Sequence, residues 1–298
     1  MRVAAVDLGT NSTRLLVADV NGELTEVVRR LAITRLGEGV DERRKLLPVP
    51  IARVRNVLSD YRRELEALGA ERTLAIATSA VRDADNGEAF LGEIEWSYGF
   101  STQLLTGEEE AALTLRGIGG VTDGTLVVDI GGGSTEVQVA GTELRTSLDV
   151  GCVRLTERFG EDVGAIREHV RGLLPDLAAE RALGVAGTVT TLAALDLGLA
   201  EYDPVRIHGH AISCHAVGAL TERLAALAPA ERTELGVEPG RAGVIVAGAA
   251  ILLELMEHYG LAEIVASERD ILHGAALAAA ELPEPEEGAA PPGAYTCC

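Results

Sequence analysis

An internal repeat is the feature that most constrains the fold of this chain. Residues 6–18 read VDLGTNSTRLLVA and residues 128–140 read VDIGGGSTEVQVA, so Asp, Gly, Ser, Thr and the apolar positions recur at the same offsets. Each copy has the pattern of a strand, a tight glycine turn and a second strand with alternating apolar residues. The repeat therefore predicts two halves that each begin with a β-hairpin.

Helix and strand patterns follow each hairpin in the same order. Apolar residues recur at steps of three and four between Ile51 and Leu68, which predicts an amphipathic helix that ends at Gly69. A short apolar strand with a polar turn follows at 74–79 and is echoed at 183–188. We therefore expect an α/β fold of two similar domains, with a cleft between them lined by the glycine turns.

Length and composition support this division. A chain of 298 residues exceeds the usual size of one hydrophobic core. We place an N-terminal domain at 1–118, a C-terminal domain at 119–282 and a disordered tail rich in Pro, Glu, Gly and Ala at 283–298.

Charge and residue usage exclude several functions. The formal net charge of −20 opposes binding to nucleic acid or to an anionic membrane. The start of the chain lacks a secretory pattern, and the apolar stretch at 243–253 is too short to span a bilayer, so we expect a buried helix there and a cytoplasmic protein. Lys45 is the only lysine, which excludes a P-loop and leaves phosphate binding to arginines.

The two glycine turns are the candidate phosphate-binding loops. Successive backbone N–H groups in such a turn can bind phosphate oxygens, and one turn alone could equally be an ordinary hairpin. Two matched copies favour phosphate binding, with Asp7 and Asp129 at the strand ends placed to hold hydrated Mg²⁺. The predicted phosphate-binding residues are Gly9, Thr10, Asn11, Ser12, Gly131, Gly132, Gly133, Ser134 and Thr135.

Three charged residues complete the candidate site. Glu136 replaces its repeat partner Arg14 and could approach the metal of Asp129, whereas an arginine there would meet phosphate. Thr106 and Glu109 have the spacing of a capping box, which leaves Glu110 as the candidate general base, although three glutamates also suit a helix N-terminus. Arg82 could bind the transferring phosphoryl group, or form a surface ion pair.

Four ordered motifs resemble the exopolyphosphatase and guanosine pentaphosphate phosphatase family of the actin-like ATPase superfamily. They lie at 5–12, 78–82, 107–111 and 128–136, and the resemblance continues through 151–157, 186–188 and 267–269. It implies two actin-like (ribonuclease H-like) domains. It also implies Glu110 as catalytic base, Asp129 and Glu136 as ligands of a divalent cation such as Mg²⁺ or Mn²⁺, and Arg82 with the turns as phosphate-binding groups.

The resemblance implies release of terminal phosphate from inorganic polyphosphate or from guanosine pentaphosphate, and it leaves both substrates open. Many relatives have arginine where this chain has Ala112, and longer relatives add a C-terminal helical domain. A short form of this kind could lengthen its substrate channel by forming a homodimer. An ATP-dependent kinase or ATPase, and a binding protein without turnover, are the alternatives from other classes.

Overall fold

A computed structural model describes residues 1–283, and the predicted tail at 283–298 lies outside the described residues from 284 onward. Contacts between Cα atoms divide the chain into two compact units. The first contains Met1–Gly117 and the described residues from Ile271 onward, and the second contains Ile118–Asp270. The sequence-based division assigned residues 271–282 to the C-terminal domain, but in the structure they belong to the first unit.

The first unit begins with a three-stranded meander. Its elements up to the unit boundary are β1 (Arg2–Leu8), β2 (Ser12–Val20), β3 (Leu24–Ile33), α1 (Val40–Arg43), α2 (Pro48–Leu68), β4 (Arg72–Ala77), α3 (Ser79–Arg82), α4 (Gly87–Tyr98), β5 (Ser101–Leu104) and α5 (Gly107–Ile118). The predicted helix is α2, which buries Val54, Leu58 and Leu65 and ends at Gly69 with a left-handed φ of 70°.

The second unit begins with the same meander. Its elements are β6 (Thr125–Ile130), β7 (Thr135–Val139), β8 (Arg145–Leu148), α6 (Cys152–Phe159), α7 (Val163–Arg171), β9 (Arg181–Val185), α8 (Ala186–Asp196), α9 (Pro204–Ile207), β10 (Ala211–Ser213), α10 (Cys214–Ala225), α11 (Pro229–Glu234), α12 (Ile245–His258) and β11 (Glu263–Ala266). The final helix, α13 (Ile271–Glu281), returns to the first unit.

The two sheets share one topology. In the first, the strand order is β3-β2-β1-β4-β5, with an antiparallel meander followed by parallel pairs of β1 with β4 and β4 with β5. In the second, β8-β7-β6-β9-β11 repeats that order and β10 is added at the edge. This shared order is that of the ribonuclease H-like, or actin-like, domain and confirms the predicted fold class.

Helices cover both faces of the first sheet. Apolar residues of α2 and α4 pack with Val6, Leu8 and Leu15 on one face, while Ile271, Leu272 and Ala276 of α13 pack with Ala5 and neighbouring residues on the other. The approach of α13 to α5 is close, because a Cβ on Gly274 would lie 1.9 Å from the Leu113 carbonyl oxygen. This packing explains why α13 belongs to the first unit.

The core of the second unit lies around α12. Its residues from Ile245 to Met256 are all buried, which confirms the buried helix predicted at 243–253. The core side chains of α7, α8 and α10 pack against the same helix, and α8 also packs against β6 and β9. Across residues 1–283, none of the helices combines the length and the apolar character needed to cross a membrane.

Candidate functional site

In the first unit, the predicted residues gather at one edge of the sheet. Strands β1, β4 and β5 are parallel neighbours, so their carboxyl ends meet at that edge, which is where α/β sheets bind ligands. Thr10 follows β1 and Ser79 follows β4, and their hydroxyl oxygens are hydrogen-bonded at 3.0 Å. The structure thus brings the 9–12 turn beside the start of α3, the helix that carries Arg82.

In the first glycine turn, the backbone carbonyls of Thr10 and Asn11 both point towards residues 34–37. The carbonyl of Thr10 accepts a hydrogen bond at 2.9 Å from the Gly37 amide, and that of Asn11 accepts bonds at 3.1 and 2.9 Å from Thr34 and Arg35. The N–H and C=O of a trans peptide point in opposite directions, so the N–H groups of Asn11 and Ser12 point away from that segment. Outward N–H groups of this kind suit an anion.

The side chain of Asn11, in this turn, is buried without a hydrogen-bond partner among the described residues. It is 7% exposed, and neither Oδ1 nor Nδ2 of its side chain has a hydrogen-bond partner among residues 1–283. Burial of an amide without partners is unfavourable, so a bound polar group would stabilise this arrangement.

Asp7 and Arg14 occupy opposite positions on β1 and β2 and form an ion pair. Arg14 Nε and Nη2 lie 2.8 and 2.7 Å from Asp7 Oδ2. The sequence suggested that an arginine at this place meets phosphate, whereas the structure directs Arg14 to a carboxylate. The guanidinium of Arg14 thus already balances the negative charge of Asp7 within the hairpin. The role of Asp7 as a metal ligand stays a prediction.

Glu110 lies at the start of α5, next to the capping box. Glu109 Oε2 accepts a hydrogen bond at 2.8 Å from the Thr106 amide, and the Glu109 amide donates to Thr106 Oγ1 at 3.3 Å, which confirms the predicted cap. Glu110 is 5% exposed and accepts a hydrogen bond from Arg82 Nη1. Arg82 also donates to the Leu105 carbonyl at 2.8 Å, so the two candidate catalytic side chains are in contact.

In the second unit, the 131–134 turn repeats the geometry of the first. The carbonyls of Gly131 and Gly132 accept hydrogen bonds at 3.0 and 2.8 Å from the amides of Cys152 and Val153 at the start of α6. The Gly133 carbonyl accepts one at 2.6 Å from Arg154 Nε. By the same peptide geometry, the N–H groups of residues 132–134 point away from α6, as a phosphate nest requires.

A glycine packs closely against each turn, where a larger residue would not fit. The sequence reasoning did not identify this role. A Cβ on Gly151 would lie 2.4 Å from the carbonyl carbon and oxygen of Gly132. A Cβ on Gly37 would lie 2.3 Å from Cγ2 of Thr10. Gly37 follows β3 and Gly151 follows β8, so the structural repeat includes residues outside the matched sequences 6–18 and 128–140.

Thr135 and Arg154 both form hydrogen bonds inside the second unit. Thr135 is fully buried and its hydroxyl donates to the Val150 carbonyl at 2.6 Å, so it stabilises the loop after β8 and does not face outward. Arg154, within the 151–157 segment of the resemblance, is 7% exposed and its Nε donates to the Gly133 carbonyl at 2.6 Å. Both residues therefore support the turn from within the protein.

Asp129 and Glu136 occupy the positions that Asp7 and Arg14 occupy in the first unit. They are opposite each other on β6 and β7, so two carboxylates stand side by side where the first hairpin has an ion pair. Glu136 is 3% exposed and its Oε1 accepts a hydrogen bond at 2.7 Å from Ser147 Oγ. Adjacent like charges are unfavourable, and a cation beside them removes that cost.

The two carboxylates can be tested for their fit to a divalent cation. Within residues 1–283, no group of three or more His, Cys, Asp or Glu side chains could hold a metal ion alone. Mg²⁺ commonly uses one or two carboxylates together with water and substrate phosphates. The pair formed by Asp129 and Glu136, next to a turn with outward N–H groups, therefore fits such an ion.

Comparison with known proteins assigns the family. A sequence model of the Ppx/GppA phosphatase family matches residues 15–281. The chain belongs to the Ppx/GppA phosphatase family. Exopolyphosphatase 2 of Mycobacterium tuberculosis is similar to it, with 39% identity over 94% of this chain and 98% of that protein.

Two further members of the Ppx/GppA family extend the comparison. The guanosine-5'-triphosphate,3'-diphosphate pyrophosphatase of Vibrio vulnificus is 31% identical over 85% of this chain, which matches only 54% of that protein. A crystal structure of the Aquifex aeolicus family member has a TM-score of 0.77 and 30% identity, covering 94% of this chain and 97% of that one.

Proposed function

We propose that the chain is a metal-dependent hydrolase that releases terminal orthophosphate from inorganic polyphosphate. The observation that carries this proposal is Glu110, a buried carboxylate held by Arg82 at the sheet edge where Thr10 and Asn11 also lie. Similarity to the Mycobacterium tuberculosis exopolyphosphatase over nearly the whole of both chains supports the choice of substrate.

The second unit would hold the phosphates and their counter-ion. Asp129 and Glu136 would bind the divalent cation, which, when bound, neutralises charge on the phosphate oxygens. The amides of residues 132–134 would donate hydrogen bonds to those oxygens. Phosphoryl transfer needs little covalent chemistry from the protein, so this positioning and charge balance account for most of the catalysis.

The first unit would supply the group that orients water. Glu110 would accept a proton from the attacking water, and the contact with Arg82 fixes its carboxylate in one orientation. The same guanidinium would stabilise negative charge on the transferred phosphoryl group. The amides of Asn11 and Ser12, with the Asn11 side chain, would bind further phosphate oxygens.

A guanosine pentaphosphate 5'-phosphohydrolase is the second candidate. The similarity to the Vibrio vulnificus pyrophosphatase favours it, and both substrates present a terminal phosphoanhydride to the same groups. We also propose that the protein forms a homodimer and is located in the cytoplasm.

The test compares Mg²⁺-dependent phosphate release from short polyphosphate, long polyphosphate, guanosine pentaphosphate and ATP. Glu110→Gln should reduce the rate by about 10²- to 10⁴-fold, the usual contribution of a general base. Glu109→Gln is the matched control, because glutamine can replace glutamate in a capping box. This control variant should keep near wild-type turnover. Near wild-type release by a folded Glu110→Gln protein would remove Glu110 from this role.

A further inference from the structure

Three consecutive basic residues, Arg43, Arg44 and Lys45, lie on the surface of the first unit and are called the basic run below. All three are exposed, and none forms an ion pair with a carboxylate of residues 1–283. Arginines elsewhere in this unit are commonly paired, among them Arg2 with Asp19, Arg14 with Asp7, Arg30 with Glu64, Arg55 with Glu93 and Arg116 with Glu281. In a chain of net charge −20, three adjacent cations without a carboxylate partner offer a local site for an anion.

Both ends of the segment that carries the basic run contact elements of the candidate site. At its start, the Gly37 amide donates to the Thr10 carbonyl at 2.9 Å, and a Cβ on Gly37 would lie 3.2 Å from Cβ of Ala80. At its end, the Leu46 amide donates to Asn86 Oδ1 at 2.8 Å, and the Leu46 carbonyl accepts from Asn86 Nδ2 at 3.1 Å. The segment is therefore attached to the first glycine turn and to the residues around α3.

The basic run itself is attached to the loop that follows α3. The Arg44 carbonyl accepts a hydrogen bond at 2.7 Å from the Asp85 amide. Asp85 lies three residues after Arg82, a separation that spans at most about 11 Å of backbone. Arg44 also has a φ of 54°, in the left-handed region that arginine seldom adopts, and surrounding contacts enforce such a conformation. The basic run is thus held close to Arg82.

The charges of this segment are separated along the chain. Its acidic residues, Glu38, Asp41 and Glu42, all precede the basic run. Glu38 is paired with Arg53, with Oε2 2.7 Å from Nη2 of that arginine. The half of the segment that is attached to the loop after α3 is therefore the basic one.

We propose that the basic run binds internal phosphates of a polyphosphate chain whose terminal phosphoryl group lies at Arg82 and Glu110. This inference rests on the proposed function. Polyphosphate carries negative charge along its whole length, so the part that extends beyond the terminal group gains from further cations. Arginine and lysine on one exposed segment suit such a polyanion, because each donates charge-assisted hydrogen bonds to phosphate oxygens.

The experiment compares steady-state phosphate release from long polyphosphate and from tripolyphosphate at a fixed Mg²⁺ concentration. In the double variant Arg43→Gln with Lys45→Gln, the KM for long polyphosphate should rise about three- to tenfold, as expected for the loss of two exposed charge contacts. The KM for tripolyphosphate should change by less than about twofold, since so short a chain has few phosphates beyond the site. Arg44 is kept in place so that the loop retains its backbone conformation.

Arg181→Gln with Arg223→Gln is the matched control. Both arginines are exposed residues of the second unit, and neither forms an ion pair within residues 1–283. This double variant removes the same charge without altering the segment 37–47, so its KM for long polyphosphate should stay within about twofold of wild type. An equal rise in this control would assign the effect to net charge and overturn the inference.

Salt supplies a second readout. Added KCl should raise the KM for long polyphosphate more steeply in wild type than in the Arg43→Gln, Lys45→Gln variant, because exposed charge contacts are screened by salt. An unchanged KM for long polyphosphate in the folded double variant, or an equal rise for tripolyphosphate, would also overturn the inference. If wild type releases phosphate from neither chain, the proposed function fails. Calorimetric affinities of wild type and the double variant for long polyphosphate would then still decide the role of the basic run.

Discussion

Gly151→Ala is the substitution that most directly tests the geometry of the second turn. The added Cβ would lie 2.4 Å from the carbonyl carbon and oxygen of Gly132 and 2.5 Å from the carbonyl carbon of Gly133. Ordinary contacts of this type begin at 3.4 Å, so the turn or the start of α6 has to move by about 1 Å. Both neighbours are backbone, so no side-chain rotation relieves the contact.

The displacement should reduce both stability and activity. Overpacking of this kind costs about 1–3 kcal/mol, because the hydrogen bonds from Cys152 and Val153 to the turn must lengthen. A shift of about 1 Å in phosphate-binding groups can reduce the rate by about 10²-fold. We therefore expect a lower unfolding midpoint in urea and a weaker affinity for pyrophosphate in the same variant.

Gly243→Ala is the matched control, since a Cβ there would meet no atom within 4 Å. Its unfolding midpoint in urea and its affinity for pyrophosphate should equal those of wild type. If Gly151→Ala retained wild-type pyrophosphate affinity and urea midpoint, the turn would tolerate the displacement, and the inferred orientation of its amides would lose its support.

Two more predictions concern charge. Glu136→Gln keeps a hydrogen-bonding partner for Ser147 but removes one of two adjacent carboxylates. The Mg²⁺ concentration for half-maximal activity and the Mn²⁺ dissociation constant should therefore both rise about tenfold. Unchanged Mn²⁺ binding would contradict the assignment of Glu136 as a metal ligand. The hydrogen bond from Arg232 holds the pKa of Glu161 below its ordinary 4.5, so the pair stabilises the fold above that pH and loses this effect as the pH falls through the lowered value. Glu161→Gln should therefore be less stable than wild type at pH 7 in urea titrations, and a difference that did not shrink as the pH was lowered from 7 through the acid range would contradict this linkage.

The elements that sequence reasoning predicted are those whose signals are local. The hairpin at 6–18 and its copy at 128–140 are visible because a strand alternates over a few residues and a glycine turn is contiguous. The cap formed by Thr106 and Glu109 spans one helical turn, and α2 shows its buried face as a period of three and four. In each case the physical partners lie within a few residues of one another.

The remaining features depend on contacts between distant segments. Gly37 and Gly151 look like ordinary loop glycines until the turn that packs on each is known. The buried hydroxyl of Thr135 follows from the position of Val150, and the sequence does not show that α13 packs on the first sheet.

The paired hairpins differ in charge at one matched position, which holds Arg14 in the first and Glu136 in the second. Asp7 faces Arg14, whereas Asp129 faces Glu136 in the same register, so the first pair is neutral overall and the second carries two negative charges. A neutral pair beside the first turn would favour binding of an anion by its amides without a metal. Under the function proposed above, a divalent cation held by Asp129 and Glu136 would offset the repulsion between these carboxylates and phosphate at the second turn. We therefore infer that divergence at this strand position makes phosphate binding depend on metal at the second turn and not at the first.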